Sequence, residues 1–478
     1  MHTRIFSRRI LVSLIITLIL ILSLAACDVP AVQSQEPSAT PAPGITALPS
    51  PSVAVETAAP SGARNVILLI GDGMGLSQVT LGRLYNGNKP LAMDSLPQYG
   101  TAATTPNGSP KWITDSAAAG TALACGVKTY IGAIGVDPDK KTVPSILELA
   151  RQGGRSTGVI TTVRVTNATP ACFTAHDSSR RNETEIALDQ MALQPDILMG
   201  GGLDMFLPKT QGGAREDGRD LTVEARSAGY TLATNDAELQ DASGRILGLF
   251  ASGPMPYELD REDATPSLSA MTGKAITELS KNDKGFFLMV EGGRIDLACH
   301  AHDVATAGGE VLSFDRAVQA ALDFAQKDGH TLVIVTADHE TGGCAIGSDA
   351  RPMEYAYGLL KGQKHSSGVA VSKYVDFKSA VPPDFGAILR DAFGLKDATD
   401  KEKQNLLNAY NREKAGSSGA TAKAFSAVMT ARVSAGWAAS EHTGVDVMVF
   451  SFGPGSESLG HHIDNTDIFK CMKAAMGL

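Results

Sequence analysis

The sequence predicts an α/β fold, a three-layer sandwich with a central, mostly parallel sheet and a small inserted subdomain, on three observations. Short apolar runs bounded by glycine or polar clusters alternate with stretches of helical period. The chain holds 49 glycines and only 5% aromatic residues, a balance that suits many tight turns feeding a sheet. With 478 residues, 43% hydrophobic and 19% charged, it can bury a large core, which excludes a peptide, a fibrous protein or a small disulfide scaffold. A formal net charge of −9 and the scarcity of stacking side chains argue against nucleic acid as a specific partner.

The first element is a leader. Arg4, Arg8 and Arg9 precede an uncharged apolar run from Ile10 to Ala26, the layout of a secretory signal. Leu24-Ala25-Ala26-Cys27 resembles the bacterial lipoprotein processing box, so residues 1–26 are expected to be removed and Cys27 to carry the lipid. An uncleaved signal anchor is the alternative, since about 17 apolar residues is the lower limit for a span. Either way the body is expected outside the cytoplasm, at the cell surface or in the periplasm, tethered to the membrane. From 27 to 63 the chain is rich in Pro, Ala, Ser and Thr and poor in large apolar residues, which reads as a flexible stalk. The catalytic body is expected over 64–478.

Within the body the clearest strands are Asn65 to Ile70, Ser156 to Thr162, Phe286 to Val290, Thr331 to Thr336 and Asp446 to Phe450. Val143 to Gln152 and Val311 to Lys327 carry the helical period. Between Gly347 and Gly436 the pattern loosens into Lys, Ser, Gly and Pro with short helical pieces such as Lys401 to Tyr410, so 348–436 is expected as an insertion on the main sheet. Besides Cys27 there are Cys125, Cys172, Cys299, Cys344 and Cys471. That number is odd, so at least one is unpaired within the chain, and no CxxC supports a zinc knuckle or thioredoxin-like motif.

Functional groups of open α/β sheets gather beyond the carboxyl ends of the strands. Here an acid stands there repeatedly: Asp72 after Ile70, Glu291 after Val290, and Asp338 with His339 after Thr336. A single such acid is most often a cap or a turn residue. Three on one sheet point to a site of concentrated negative charge, which persists only around something positive, a metal ion being the simplest partner. Asp296 and His300 add an i to i+4 pair that shares one face if helical. Mixed histidine and carboxylate ligation suits zinc, and oxygen ligation suits magnesium. In Trp112-Ile-Thr-Asp115-Ser116-Ala-Ala-Ala-Gly120, Thr114 or Asp115 can cap a helix of small residues whose first N–H groups face an anion held against Ser116, a candidate nucleophile. An ordinary capped alanine-rich helix is an equally good reading of that segment alone.

Taken together, six motifs resemble the alkaline phosphatase family. They are Gly71-Asp72-Gly73-Met74-Gly75, Thr114-Asp115-Ser116 with the small residues to Ala122, Asn167-Ala-Thr169-Pro170 followed by His176 and Arg180, Val290-Glu291-Gly-Gly-Arg-Ile-Asp296 with His300, Thr336-Ala-Asp338-His339-Glu-Thr-Gly342, and Ser440-Glu-His442-Thr-Gly444. They run in family order over nearly all of Arg64 to Leu478, and such co-linearity is far more specific than any one pattern.

The resemblance implies an alkaline phosphatase-like sandwich, small phosphomonoester substrates, two zinc ions and one magnesium. It implies the first zinc on Asp296, His300 and His442, the second on Asp72, Asp338 and His339, and magnesium on Asp72, Glu291 and Thr169. It further implies Ser116 as nucleophile, a phosphoserine intermediate, Arg180 as a two-point clamp on phosphate oxygens, and His176 as a supporting neighbour. Two positions depart from the family pattern. Asn167 stands behind the magnesium where Asp or His is common, and Leu297 stands where several members have a basic residue. The resemblance leaves a homodimer open. A phosphodiesterase of the same superfamily and a silent phosphate- or metal-binding lipoprotein are the competing functions. Ser116 followed by three alanines lacks the processing pattern of a sulfatase.

Overall fold

The computed structural model describes residues 62–108, 111–348 and 356–478, so the expected leader, Cys27 and nearly all of the stalk lie outside the described residues. The main sheet is built from β1 (Asn65–Ile70), β2 (Gln98–Ala103), β3 (Ser156–Arg164), β4 (Ile197–Gly201), β5 (Thr231–Ala233), β6 (Ile246–Leu249), β7 (Phe286–Glu291) and β8 (Thr331–Thr336). Two small ribbons follow, β9 (Glu340–Thr341) with β12 (His442–Thr443) and β10 (Cys344–Ile346) with β11 (Ala435–Trp437). The main sheet is completed by β13 (Val447–Phe452) and β14 (His462–Asp464). Its ten strands run in the order β14-β2-β13-β8-β1-β7-β3-β4-β6-β5, all pairs parallel except those of β13 with β2 and β8.

The central strands are apolar on both faces because helices cover both. β1, β7 and β8 are buried along their whole length. That is why they read as continuous apolar runs rather than as alternations. Two predicted boundaries move for local reasons. The helix expected from Val143 begins at Ile146, because Pro144 precedes Ser145, which caps it in a reciprocal box with Glu148. The helix expected from Val311 begins seven residues earlier, at Val304, capped by Asp303. Its first turns are Ala, Thr and Gly, whose side chains are too small to register an apolar period.

The long segment between β10 and β11 leaves and re-enters the body through that antiparallel ribbon, Cys344 facing Trp437. Its described part is helical: Ser367–Tyr374, Phe385–Phe393, Asp400–Lys414 and Ala420–Arg432. Leu360, Phe385, Leu389, Phe393 and Phe425 bury their side chains in the same apolar cluster as the sheet. All five described cysteines are free thiols, buried in the core. No described helix is long and apolar enough to cross a membrane.

Candidate active site

Sheet order brings the acids together. β8, β1 and β7 are adjacent, with Ile70 in register with both Thr336 and Glu291. The residues that follow β1 and β8, and the last residue of β7, therefore meet at one edge. Asp72, Glu291 and Asp338 are all buried there. The turn after β1 needs glycine: Gly73 has φ +71, and a Cβ on it would fall 2.8 Å from Thr341 Oγ1 and 3.0 Å from Asp296. Its N–H donates to Asp338 Oδ1 at 3.1 Å.

The remaining ligand-type side chains come from a helix and a ribbon. Arg294–His300 is helical, so Asp296 and His300 share a face, with His300 Nε2 3.3 Å from Asp296 Oδ1. The β9–β12 ribbon pairs His442 with Thr341 and so lays His442 over His339, the rings stacked at 3.6 Å. Asp296, His339 and His442 offer ligand atoms that all lie within 4.8 Å of one another, and so do Asp72, Asp338 and His339. His300 meets Asp296 closely, but the first trio is completed by His339 in its place.

Each histidine has its other nitrogen occupied. His300 Nδ1 is 2.7 Å from the Ser440 carbonyl, His442 Nδ1 is 2.9 Å from the Thr114 carbonyl, and His339 Nδ1 is 3.3 Å from Thr341 Oγ1. A proton held on Nδ1 against a carbonyl leaves Nε2 as the lone-pair atom facing the carboxylates. Four buried oxygens, Asp72 Oδ1, Asp338 Oδ2, Glu291 Oε1 and Thr169 Oγ1, have no hydrogen-bond partner. Buried polar atoms without partners are costly, and such oxygens among crowded acids fit cations as the missing partners.

The electrostatics agree. Burial, then repulsion from Asp338, Asp296 and Glu291, holds the Asp72 carboxyl well above the usual range. Burial pushes Glu291 up to about 7 and raises Asp338, while burial and the neighbouring His442 bring His339 down to about 3. Positive charge entering such a cluster would bring the carboxyls back to their ionised, metal-binding form and would keep His339 neutral, the form in which it offers a lone pair.

Ser116 is the first residue of the helix Ser116–Cys125. Asp115 caps it, accepting from Ala118 N–H, and the three residues C-terminal to Ser116 are alanines. Ser116 Oγ lies 3.2 Å from His339 Nε2. Gly120 lets this helix pack on Ala168–Thr174, since a Cβ there would stand 3.0 Å from Cys172 Sγ and 3.4 Å from Thr169 Cα. That close approach delivers Thr169 to the cluster. Arg180 Nη1 donates to Asp115 Oδ2 at 3.1 Å and Nη2 to Asn167 Oδ1 at 3.3 Å. The Asn167 carbonyl thus faces the guanidinium and the Ala168 N–H.

Three side chains escaped the sequence reading. Thr161, in register with Glu291, donates to Glu291 Oε2. Thr341 donates to Asp296 Oδ1 at 2.6 Å and touches His339, bridging the two trios. Asp115, read only as a cap, also anchors Arg180. Register between β3 and β7 was the missing signal for Thr161, and nothing short of the ribbon pairing places Thr341. His176, expected as a supporting neighbour of the site, has its two ring nitrogens on the Gly135 carbonyl and Glu148.

Comparison with known proteins decides the family. The alkaline phosphatase family model matches residues 63–478. The chain belongs to the alkaline phosphatase family. Alkaline phosphatase 4 of Bacillus subtilis is 41% identical over 427 residues, covering 86% of this chain and 89% of that protein. Among solved structures, the cold-active alkaline phosphatase of a Shewanella species superposes with a TM-score of 0.78 at 35% identity, over 86% of this chain and 99% of that one. A variant of the alkaline phosphatase from the Antarctic bacterium TAB5, solved with magnesium bound, covers 87% of this chain and 99% of its own at 29% identity and a TM-score of 0.64. The chain is accordingly a metal-binding hydrolase of phosphomonoesters on an α/β sandwich.

Proposed function

We propose that phosphomonoesters are hydrolysed here through a phosphoserine on Ser116, at a centre of two zinc ions and one magnesium. The reading rests on one observation: a buried serine hydroxyl at the first turn of a capped helix, 3.2 Å from the histidine shared by both trios. Asp296, His300 and His442 would hold one zinc, Asp72, Asp338 and His339 the other, and Asp72, Thr169 and Glu291 the magnesium. Bound there, the ions supply positive charge that favours the serine alkoxide and the departing alkoxide.

The chain's own groups do the rest. Arg180, anchored by Asp115 and Asn167, turns its remaining N–H donors to two non-bridging oxygens. The free N–H groups of the first turn add donors on the same side. Ser116 Oγ gives up its proton to solvent and forms a bond to phosphorus as the ester P–O bond breaks, and the alcohol leaves with a proton from solvent. Water then displaces Ser116 from phosphorus, and two in-line steps give net retention. Ser116→Ala should keep its zinc and lose nearly all monoesterase activity. Retained turnover in the zinc-loaded variant would remove Ser116 from the reaction.

The same proposal carries the tether, with Cys27 as the lipidated residue and 27–63 as a stalk to the body. Cys27→Ser should accumulate as a larger, unprocessed precursor. A chain of unchanged mass and membrane partition would overturn that part.

A further inference from the structure

Beyond the ligand cluster, His300 also lines a cavity of about 490 Å3. Its far wall is the helix Ala420–Arg432, which presents Ala427 and Ala431, and its near wall is His302 and Trp437. Lys423 stands on the same helix, exposed, and makes no ion pair among the described residues. A volume of this order is typical of small-molecule sites, and apolar walls with one or two polar groups are the usual composition.

The near wall is held in a costly conformation. His302 leaves the helix Arg294–His300 with φ +53, at the point where Asp303 N–H turns back to the Ala298 carbonyl at 3.0 Å. That left-handed position is ordinarily glycine. The imidazole is retained by a ring of contacts. It stacks on Trp437 at 5.1 Å with the planes 5° apart, and its Nε2 lies 2.8 Å from the Ala439 carbonyl. Thr430 Oγ1 donates to the His302 carbonyl at 3.2 Å and accepts from Trp437 Nε1 at 3.3 Å. Helix, ribbon and loop are thereby tied together into one rigid face. Backbone strain kept in place by over-determined contacts is a mark of functional sites.

Direction links this cavity to the chemistry. In-line displacement puts the entering and leaving oxygens on opposite sides of phosphorus. From Ser116 Oγ the path runs to His339, to His442 stacked on it, and on to His300, whose ring is 5.2 Å from that of His442. His300 also lines the cavity. Resting on the reading of Ser116 as nucleophile, we infer that the cavity receives the alcohol portion of the substrate. It selects phosphomonoesters whose alcohol is bulky and ring-bearing and carries no positive charge. The apolar walls reward a ring, and Lys423 repels a cation.

The test uses the metal-loaded full chain and three probes: 1-naphthyl phosphate, glycerol phosphate, whose alcohol is too small to fill the cavity, and phosphocholine, whose alcohol is cationic. Ala427→Trp fills the cavity from an exposed helical position, and Lys423→Glu inverts its charge. Ala427→Trp should lower the ratio of kcat/KM for naphthyl over glycerol phosphate about tenfold. Lys423→Glu should raise the ratio for phosphocholine over glycerol phosphate about fivefold at low ionic strength, and high salt should erase the gain. Unchanged ratios in both variants overturn the subsite, and an unchanged phosphocholine ratio in Lys423→Glu overturns the charge selection. Turnover of all three probes by Ser116→Ala would instead sink the nucleophile reading on which the subsite rests.

Discussion

Removing the Arg180 guanidinium separates a monoesterase from a diesterase on one sample. Asp115 at 3.1 Å and Asn167 at 3.3 Å engage two of the five N–H donors, which fixes the plane of the fork and leaves the others for the phosphoryl group. A dianionic monoester offers that fork two charged oxygens. At the lower end for charge-assisted bonds, about 1.5 kcal/mol each, Arg180→Ala should cost about 3 kcal/mol, or roughly a hundredfold in kcat/KM. A diester carries one negative charge and keeps its second ester group where the fork would close. It should lose about one such bond, roughly tenfold. The variant also leaves the Asp115 carboxylate unpaired beside the phosphoryl group, which penalises the more highly charged monoester further. The assay is kcat/KM for an aryl phosphate and the corresponding bis-aryl phosphate, with zinc content measured alongside. Equal losses on the two esters, at unchanged zinc, would refute the clamp.

Two further outcomes follow from residues around the site. Asn167→Asp puts a charge one residue from Ala168-Thr169, so in a metal-stripped, zinc-reloaded sample it should lower the magnesium concentration for half-maximal activation; an unchanged or higher requirement would count against a magnesium site there. His176 lies between two acceptors, the Gly135 carbonyl at 2.7 Å and Glu148 at 3.1 Å, which calls for both ring N–H groups. Burial lowers its pKa, but Glu148 and the carbonyl outweigh burial and leave it raised. A group whose pKa is raised on folding stabilises fully below its unfolded value, about 6.5, and loses that contribution as pH climbs through the folded value. Wild-type Tm should therefore fall as pH rises through and above neutrality, and His176→Gln should flatten that slope. A variant with the same slope would show that another group titrates.

How much of this was legible in the sequence depended on the range of the interaction. β1 and β8 end where they were expected to, because buried parallel strands bounded by glycine and acid are a local signal. β13 starts at Val447, one residue after the expected Asp446, since a charged residue can open a run without entering the ladder. The acids at the strand ends and the capped Ser116 helix were visible for the same local reason. What was hidden needed partners distant in sequence. Thr341 matters because β9 pairs with β12, about a hundred residues away, and Asp115 matters twice because Arg180 folds back onto it. In the stretch between Gly347 and Gly436 the loops rich in Lys, Ser, Gly and Pro mask short helices such as Phe385–Phe393, whose Phe385, Ile388, Leu389 and Phe393 insert into the common core. Nothing local to His302 announces its left-handed φ or its stack on Trp437.

The central claim is that phosphate is carried by Ser116, and one measurement reaches it directly. Trypsin should release Ser116 in the peptide from Trp112 to Lys128, which holds no other serine and two threonines apart from it, Thr114 and Thr121. The zinc-loaded protein, mixed with phosphate at acid pH, quenched and digested, should give that peptide bearing one phosphoryl group, with fragmentation placing it on Ser116. The account predicts phosphate there and none in Ser116→Ala. Phosphate on another residue, or none on any peptide from an enzyme that turns over monoesters, would contradict it.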